Sequence, residues 1–354
     1  MLHIIGKLEP ELATQVLQFV FLSDCGFRFP IAQFPSASCS PSDLYFLFWE
    51  GVLKMMEEGF TIYWCILDGA DVNRQFVKLH FNDSHPVDKS FITHNIYTSQ
   101  PMLFMMDPKH NIKKIRNNLC KSNQSGKPRC LQINGKTMVW QHFKQAYNWD
   151  QSNFSLPVHE RLTEQHFELD SAAKMRNHLA EDVLGRKMLF LMEKYQENLS
   201  LESPQKGESL DSTVELLKHT SHIVELFTDK HSITSLSDPR LTKLNNFLIF
   251  FTKWYEESKD CSKHFISSKL WFDLQSMCIG FMSMIAVKLG KFPQSVIKPS
   301  LMNQDCVENH FCQIRACNGQ NNNPTYHQQQ ATQNSIRYGQ TTISHKCNTA
   351  KQIR

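Results

Sequence analysis

TIYWCILDGADVNRQF, residues 61–76, is the stretch on which the fold turns. Its first seven residues, Thr61–Leu67, are β-branched, aromatic or apolar. That composition predicts a strand buried on both faces, in the middle of a sheet. The run ends on a carboxylate, Asp68. Gly69 follows, and Ala70–Leu79 reads as a helix. Open α/β sheets gather their chemistry at the carboxyl ends of central strands, where Asp68 would stand. The same residue type also suits an ordinary turn or helix N-cap.

Upstream, Val16–Leu22 and Phe29–Phe34 read as two strands joined by a turn around Gly26. Leu44, Leu47, Phe48, Val52, Met55 and Met56 recur at helical spacing. Ser42 and Asp43 offer its N-cap and Gly59 its close. Downstream, Met102–Met106 is a short apolar strand. Asp107 then reads as an N-cap before Pro108. The helix it opens carries Lys109, Lys113, Lys114 and Arg116, which suit either phosphates or a solvated face. His110 reads as a packing or hydrogen-bonding residue of that helix.

Beyond Leu119 the pattern changes. Asn134–Gly135 between two short apolar runs predicts a type I′ hairpin. Helices are expected at Trp140–Asn148, Ser171–Asn198, Ser212–Phe227, Pro239–Ser258 and His264–Leu289, with a mobile polar loop at Ser200–Asp211. Leu301–Gly319 is helical again. Gln320–Arg354 is rich in Gln and Asn and predicts a disordered tail. A helical block after an α/β beginning suggests an inserted or second domain.

The 354 residues suffice for two domains, and 41% hydrophobic with 20% charged residues fits a soluble globular protein. The net charge of +4 permits nucleic acid without requiring it. The 11 cysteines form no C-x-x-C, which points to reduced thiols in the nucleus or cytosol. Met277–Val287, the most apolar run, has 11 residues, too few to span a bilayer, so no membrane partner is expected.

Four stretches together resemble the P-element transposases and their domesticated THAP-domain relatives. They are VLQFVFLSDCGFRFPIAQFP (16–35), LYFLFWEGVLKMMEEGFTIYWCILDGADVNRQF (44–76), DPKHNIKKIRNNL (107–119) and NQDCVENHFCQIRACNGQNNNPT (303–325). The tail NSIRYGQTTISHKCNT (334–349) is also similar to the family's C-terminal motif. The resemblance implies an α/β, RNase H-like mixed sheet interrupted by a mostly helical GTP-binding insertion. It implies DNA cleavage and strand transfer by three carboxylates with Mg²⁺ or Mn²⁺, on transposon-end DNA, in the nucleus, with oligomers possible. Two metal ions activate the attacking oxygen and stabilise the leaving one, which is why such a site needs several acids on rigid elements.

Carried over residue by residue, the second carboxylate is Asp68 and the third is Glu308, both expected as metal ligands. Their carboxylates are expected within about 10 Å of one another, close enough for one two-metal site. Lys174, in LTEQHFELDSAAKMR (162–176), corresponds to a nucleotide-facing lysine. Phe227 and Thr228 fall where the family has a guanine-reading Phe-Asp pair, with Asp229 adjacent. Asp305 corresponds to an acid near the nucleotide's metal. No G-x-x-x-x-G-K-[ST] loop is present. The family's first acid lies on a strand preceding Val16, and here only Glu9 and Glu11 precede it, in a helix-like context. A Cys/His zinc module is also missing. An N-terminally truncated, catalytically impaired copy is therefore expected, or else a non-catalytic interaction or GTP-binding protein. The expected divisions are 1–119 for the first catalytic part, 120–300 for the insertion, 301–319 for the returning helix and 320–354 for the tail.

Overall fold

The computed structural model describes residues 12–23, 26–81, 91–126, 129–153, 155–321 and 323–343. The residues expected to lack a first acid, 1–11, and the end of the tail motif, 344–349, lie outside the described residues. In chain order the elements are β1 (Gln15–Leu22), β2 (Arg28–Ser36), α1 (Pro41–Glu57), β3 (Trp64–Leu67), α2 (Asp71–Lys78), β4 (Ile92–His94), β5 (Pro101–Met106) and α3 (Pro108–Cys120). The hairpin β6 (Gln132–Ile133) and β7 (Lys136–Thr137) precedes α4 (Trp140–Asn153), α5 (Ser171–Met175), α6 (Asn177–Leu184), α7 (Arg186–Glu202) and α8 (Pro204–Glu208). Then come α9 (Asp211–Thr228), α10 (Pro239–Glu257), α11 (Ser268–Lys291), α12 (Asp305–Cys317) and α13 (Tyr326–Ile343). The chain divides into two compact units, Met1–Ile62 with Gln304–Arg354, and Tyr63–Asn303.

In the first unit β1 and β2 form the expected antiparallel hairpin, with a bulge between Phe19 and Val20 that leaves Ile31 unpaired. Helix α1 starts two residues earlier than Ser42 and Asp43 suggested. Ser40 is the N-cap, Pro41 takes N1, and Asp43 completes a capping box: Ser40 Oγ accepts from the Asp43 N–H, and Asp43 Oδ2 accepts from the Ser40 N–H. Its buried stripe is Leu44, Phe48, Trp49, Val52 and Met55. Gly59 ends it at φ 84°, the left-handed conformation glycine adopts without strain. Helix α12 packs on β1 and α13, and α13 packs on β2. The disordered tail is thus corrected over Tyr326–Ile343. Gln329, Gln333 and Ile336 form a buried stripe at helical spacing, and two of its three members are amides, which hid it from a hydrophobic pattern.

The second unit is built on a mixed three-stranded sheet in the order β3-β5-β4. β3 runs parallel to β5 from Trp64↔Leu103 to Leu67↔Met106, and β4 pairs with β5 antiparallel. The central strand is therefore β5, whose Met102–Met106 are all buried, and not the expected Thr61–Leu67, which is an edge strand. β3 is shorter than Thr61–Leu67, and of its four residues only Leu67 is buried. Helix α11 lies against β5. Ser276 Oγ donates to the Phe104 carbonyl at 3.2 Å, and one turn on, Gly280 lets the backbones touch. A Cβ at Gly280 would sit 2.5 Å from that same oxygen. By length and composition α11 could cross a membrane, but 67% of its most apolar window is buried inside the protein, as befits a core helix. Because α11 and β5 share one core with α3 and α9, the sheet and the helices are one compact body, and the chain does not divide at residue 119.

The hairpin turn has Asn134 at φ 52° and Gly135 at φ 74°, the type I′ signature. The long helix expected at Ser171–Asn198 is instead three helices. Arg176 and Gly185 take extended backbone between them. The loop expected at Ser200–Asp211 contains the short helix α8.

Candidate functional site

Parallel pairing sends the ends of β3 and β5 to the same edge. The Asp107 N–H donates to the Leu67 carbonyl at 2.8 Å, so each strand stops at its own aspartate. The two carboxylates then part in role. Asp107 is buried and accepts from the His110 N–H at 2.9 Å, capping α3 as expected. Asp68 is half-buried. Its Oδ1 accepts from the Ala70 N–H at 2.9 Å and from Asn73 Nδ2 at 2.7 Å. These two donors fix the carboxylate's orientation on the turn into α2, while Oδ2 takes no hydrogen bond from the described residues. A half-exposed, oriented carboxylate oxygen is a suitable hard donor for Mg²⁺ or Mn²⁺.

Behind this turn lies a charge cluster the sequence reading did not find. Asp273 of α11 is fully buried and accepts from Arg74 through Nε and Nη2, both at 2.7 Å, a two-pronged pair. Lys114 Nζ of α3 donates to Asp273 Oδ2 at 2.9 Å and to the Gly69 carbonyl at 3.1 Å. Arg74 Nη1 reaches Asp71 Oδ1 at 2.7 Å, and Lys269 Nζ reaches Asp71 Oδ2 at 2.6 Å. Lys269, then Arg74, hold the Asp71 carboxyl below the usual carboxylate range. Asn111 Nδ2 donates to the Asp273 backbone carbonyl at 3.1 Å. The cluster binds α2, α3 and α11 together beneath Asp68. The available signal was one acid, Asp273, inside the apolar run of α11.

The basic helix α3 is less exposed than its four cations suggested. Lys113 and Arg116 are interior. With Asn117 they donate to the last carbonyls of α5: Lys113 to Met175 at 3.3 Å, Arg116 Nη2 to Lys174 at 2.8 Å, and Asn117 Nδ2 to Lys174 at 3.3 Å. Cations capping the carboxyl end of a helix are favoured by its dipole. Burial pushes the Arg116 guanidinium down to about 10.

The other expected residues are dispersed. Lys174 is half-buried in α5. Phe227 is 1% exposed and packs edge-to-face on Phe281 at 5.0 Å, so its ring belongs to the core. Thr228 Oγ1 donates back to the Val224 carbonyl at 2.7 Å. Asp229 accepts from the His231 N–H at 2.9 Å and from Arg240 Nη1 at 2.7 Å. Asp305 and Glu308 occupy the first turn of α12 in the other compact unit, Asp305 half-buried and Glu308 exposed. Acids in a first turn oppose the positive end of the helix dipole. Among the described residues no group of three or more His, Cys, Asp and Glu side chains is arranged to hold a metal ion.

Comparison with known proteins adds two findings. The family described as TNP-like, RNase H C-terminal domain matches residues 300–332. The solved Drosophila P element transposase strand transfer complex matches with a TM-score of 0.69 and 17% sequence identity, over 87% of this chain and 66% of that one. The chain thus spans less than two thirds of the protein it resembles, and at that identity the likeness speaks to the fold. No curated protein sequence matches.

Proposed function

From a P-element transposase-like family, which the domain match and the shared fold both support, we propose that this chain handles DNA through a divalent cation held at Asp68. The observation that carries the reading is the state of Asp68. It ends a parallel strand, is oriented by Ala70 and Asn73, and keeps one oxygen open. Glu308, exposed in its own compact unit on the N-Q-D-x-x-E motif and within the matched residues, is proposed as a further hard donor. Carboxylate oxygens are the donors Mg²⁺ and Mn²⁺ prefer, and a cation held there would neutralise a DNA phosphate brought to the strand ends. Within that site Asp68 supplies a fixed oxygen, and the Asp273 cluster keeps the turn that carries it from moving. A nuclear location and work on transposon-end DNA belong to the same proposal.

The test is duplex affinity with and without Mg²⁺, at constant ionic strength, for the parent, Asp68→Asn and Glu308→Gln. Tighter binding with Mg²⁺ in the parent, reduced in each variant, supports the proposal. An Mg²⁺ effect of the same size in all three chains overturns it.

A further inference from the structure

Beside Asp68, within the second compact unit, a cavity of about 410 Å³ opens between the first turns of α2 and α11 and the side of α3. Its lining includes Gly69, Asp71, Arg74, Lys114 and Lys269. We propose that this cavity binds a phosphate group, supplied by the backbone of a nucleic-acid strand.

The charge balance points to an anion. Three cations, Arg74, Lys114 and Lys269, face two carboxylates, Asp71 and Asp273, leaving +1. Arg74 is spent on both carboxylates, and its guanidinium serves as the floor. The two lysines keep donors in reserve. Lys114 makes two of its three possible hydrogen bonds, and Lys269 makes one. Their side chains are 28% and 63% exposed, so those remaining donors are open to the cavity mouth. The first turn of α2 adds the positive end of its dipole, because its N-cap, Ala70, offers no side-chain acceptor. Cavities of this size suit a small ligand group rather than a solitary ion.

The two carboxylates differ in what they leave for an incoming phosphate. Asp273 is buried and engaged, so it holds Lys114 in place without competing at the mouth. Asp71 is 64% exposed and competes for Lys269 directly. An incoming phosphate would take over the lysine that Asp71 now holds. The identification of a strand, rather than free phosphate, rests on the DNA reading of Asp68 given above.

The experiment is fluorescence anisotropy of a short labelled duplex between 50 and 200 mM salt, with inorganic phosphate as a second probe in thermal-shift assays. The chains are the parent, Lys269→Gln and Asp71→Asn, both substitutions being at exposed side chains and checked for a parental melting temperature. Lys269→Gln should weaken duplex binding and lower the salt slope by about 0.9, one phosphate contact. Asp71→Asn should tighten it, a gain that loss of structure cannot mimic. If the parent binds duplex and neither variant shifts it, the phosphate site is wrong while the DNA reading stands. If the parent ignores duplex but inorganic phosphate raises its melting temperature and not that of Lys269→Gln, the phosphate site stands and the DNA source is wrong. If neither probe binds, both are overturned.

Discussion

At the scale of single residues, Gly69 shows how tightly the candidate site is assembled. A Cβ there would lie 1.9 Å from Lys114 Nζ, 2.3 Å from Asp273 Oδ2 and 2.8 Å from Arg74 Nη2. Lys114 could swing aside, but Asp273 is enclosed and Arg74 is clasped by it. Gly69→Ala should therefore cost about 1–3 kcal/mol, the usual range for overpacking, measured by urea unfolding. A cost under half a kcal/mol would mean the cluster is looser than its geometry. Asp68 was legible because a carboxylate after an apolar run is a local pattern. Its support was not, because Asp273 stands 205 residues away (273 − 68) and only the folded chain brings it beneath Gly69. Phe227 shows the opposite limit. Its residue type agreed with a ring-stacking role, yet an aromatic side chain at a helical apolar position serves equally well as core, and here it does.

At the scale of elements, the decisive contact is α11 on β5. Ser276 and Gly280 lie one turn apart on the face that meets Phe104 and Met105. At Gly280 the obstacle to a side chain is backbone, at 2.5 Å, which cannot rotate away. Gly280→Ala should destabilise by at least about 1–3 kcal/mol and separate helix from strand. Thermal melting unchanged from the parent would show that the two elements slide freely. Hairpins, the α3 cap and the β6–β7 turn were readable because their signals are local: a left-handed Asn-Gly pair, an Asp-Pro entry, an apolar stripe. The exchange of β3 for β5 as central strand was not, since both runs are apolar and pairing order is a long-range property. Likewise α13 was invisible, because Gln329 and Gln333 bury amides where a pattern search expects hydrocarbon.

At the scale of the whole molecule, protonation and metal binding both bear on the account. Burial pushes His80, His142, His159 and His219 below the ordinary 6.5, and all four lie in the second compact unit. The folded state thus favours their neutral forms. Their contribution to stability is complete above pH 6.5 and is lost as pH falls through the depressed folded values. The melting temperature should drop between pH 7.5 and 5.5, and His159→Gln should shrink the drop; an equal drop in that variant would remove His159 from the cause. The central claim is that the carboxylates of Asp68 and Glu308 are each cation donors. The most direct measurement is Mn²⁺ affinity by electron paramagnetic resonance titration for the parent, Asp68→Asn and Glu308→Gln. Each substitution removes a carboxylate oxygen and should weaken Mn²⁺ binding. An Asp68→Asn or Glu308→Gln chain that binds Mn²⁺ as the parent does would contradict the account.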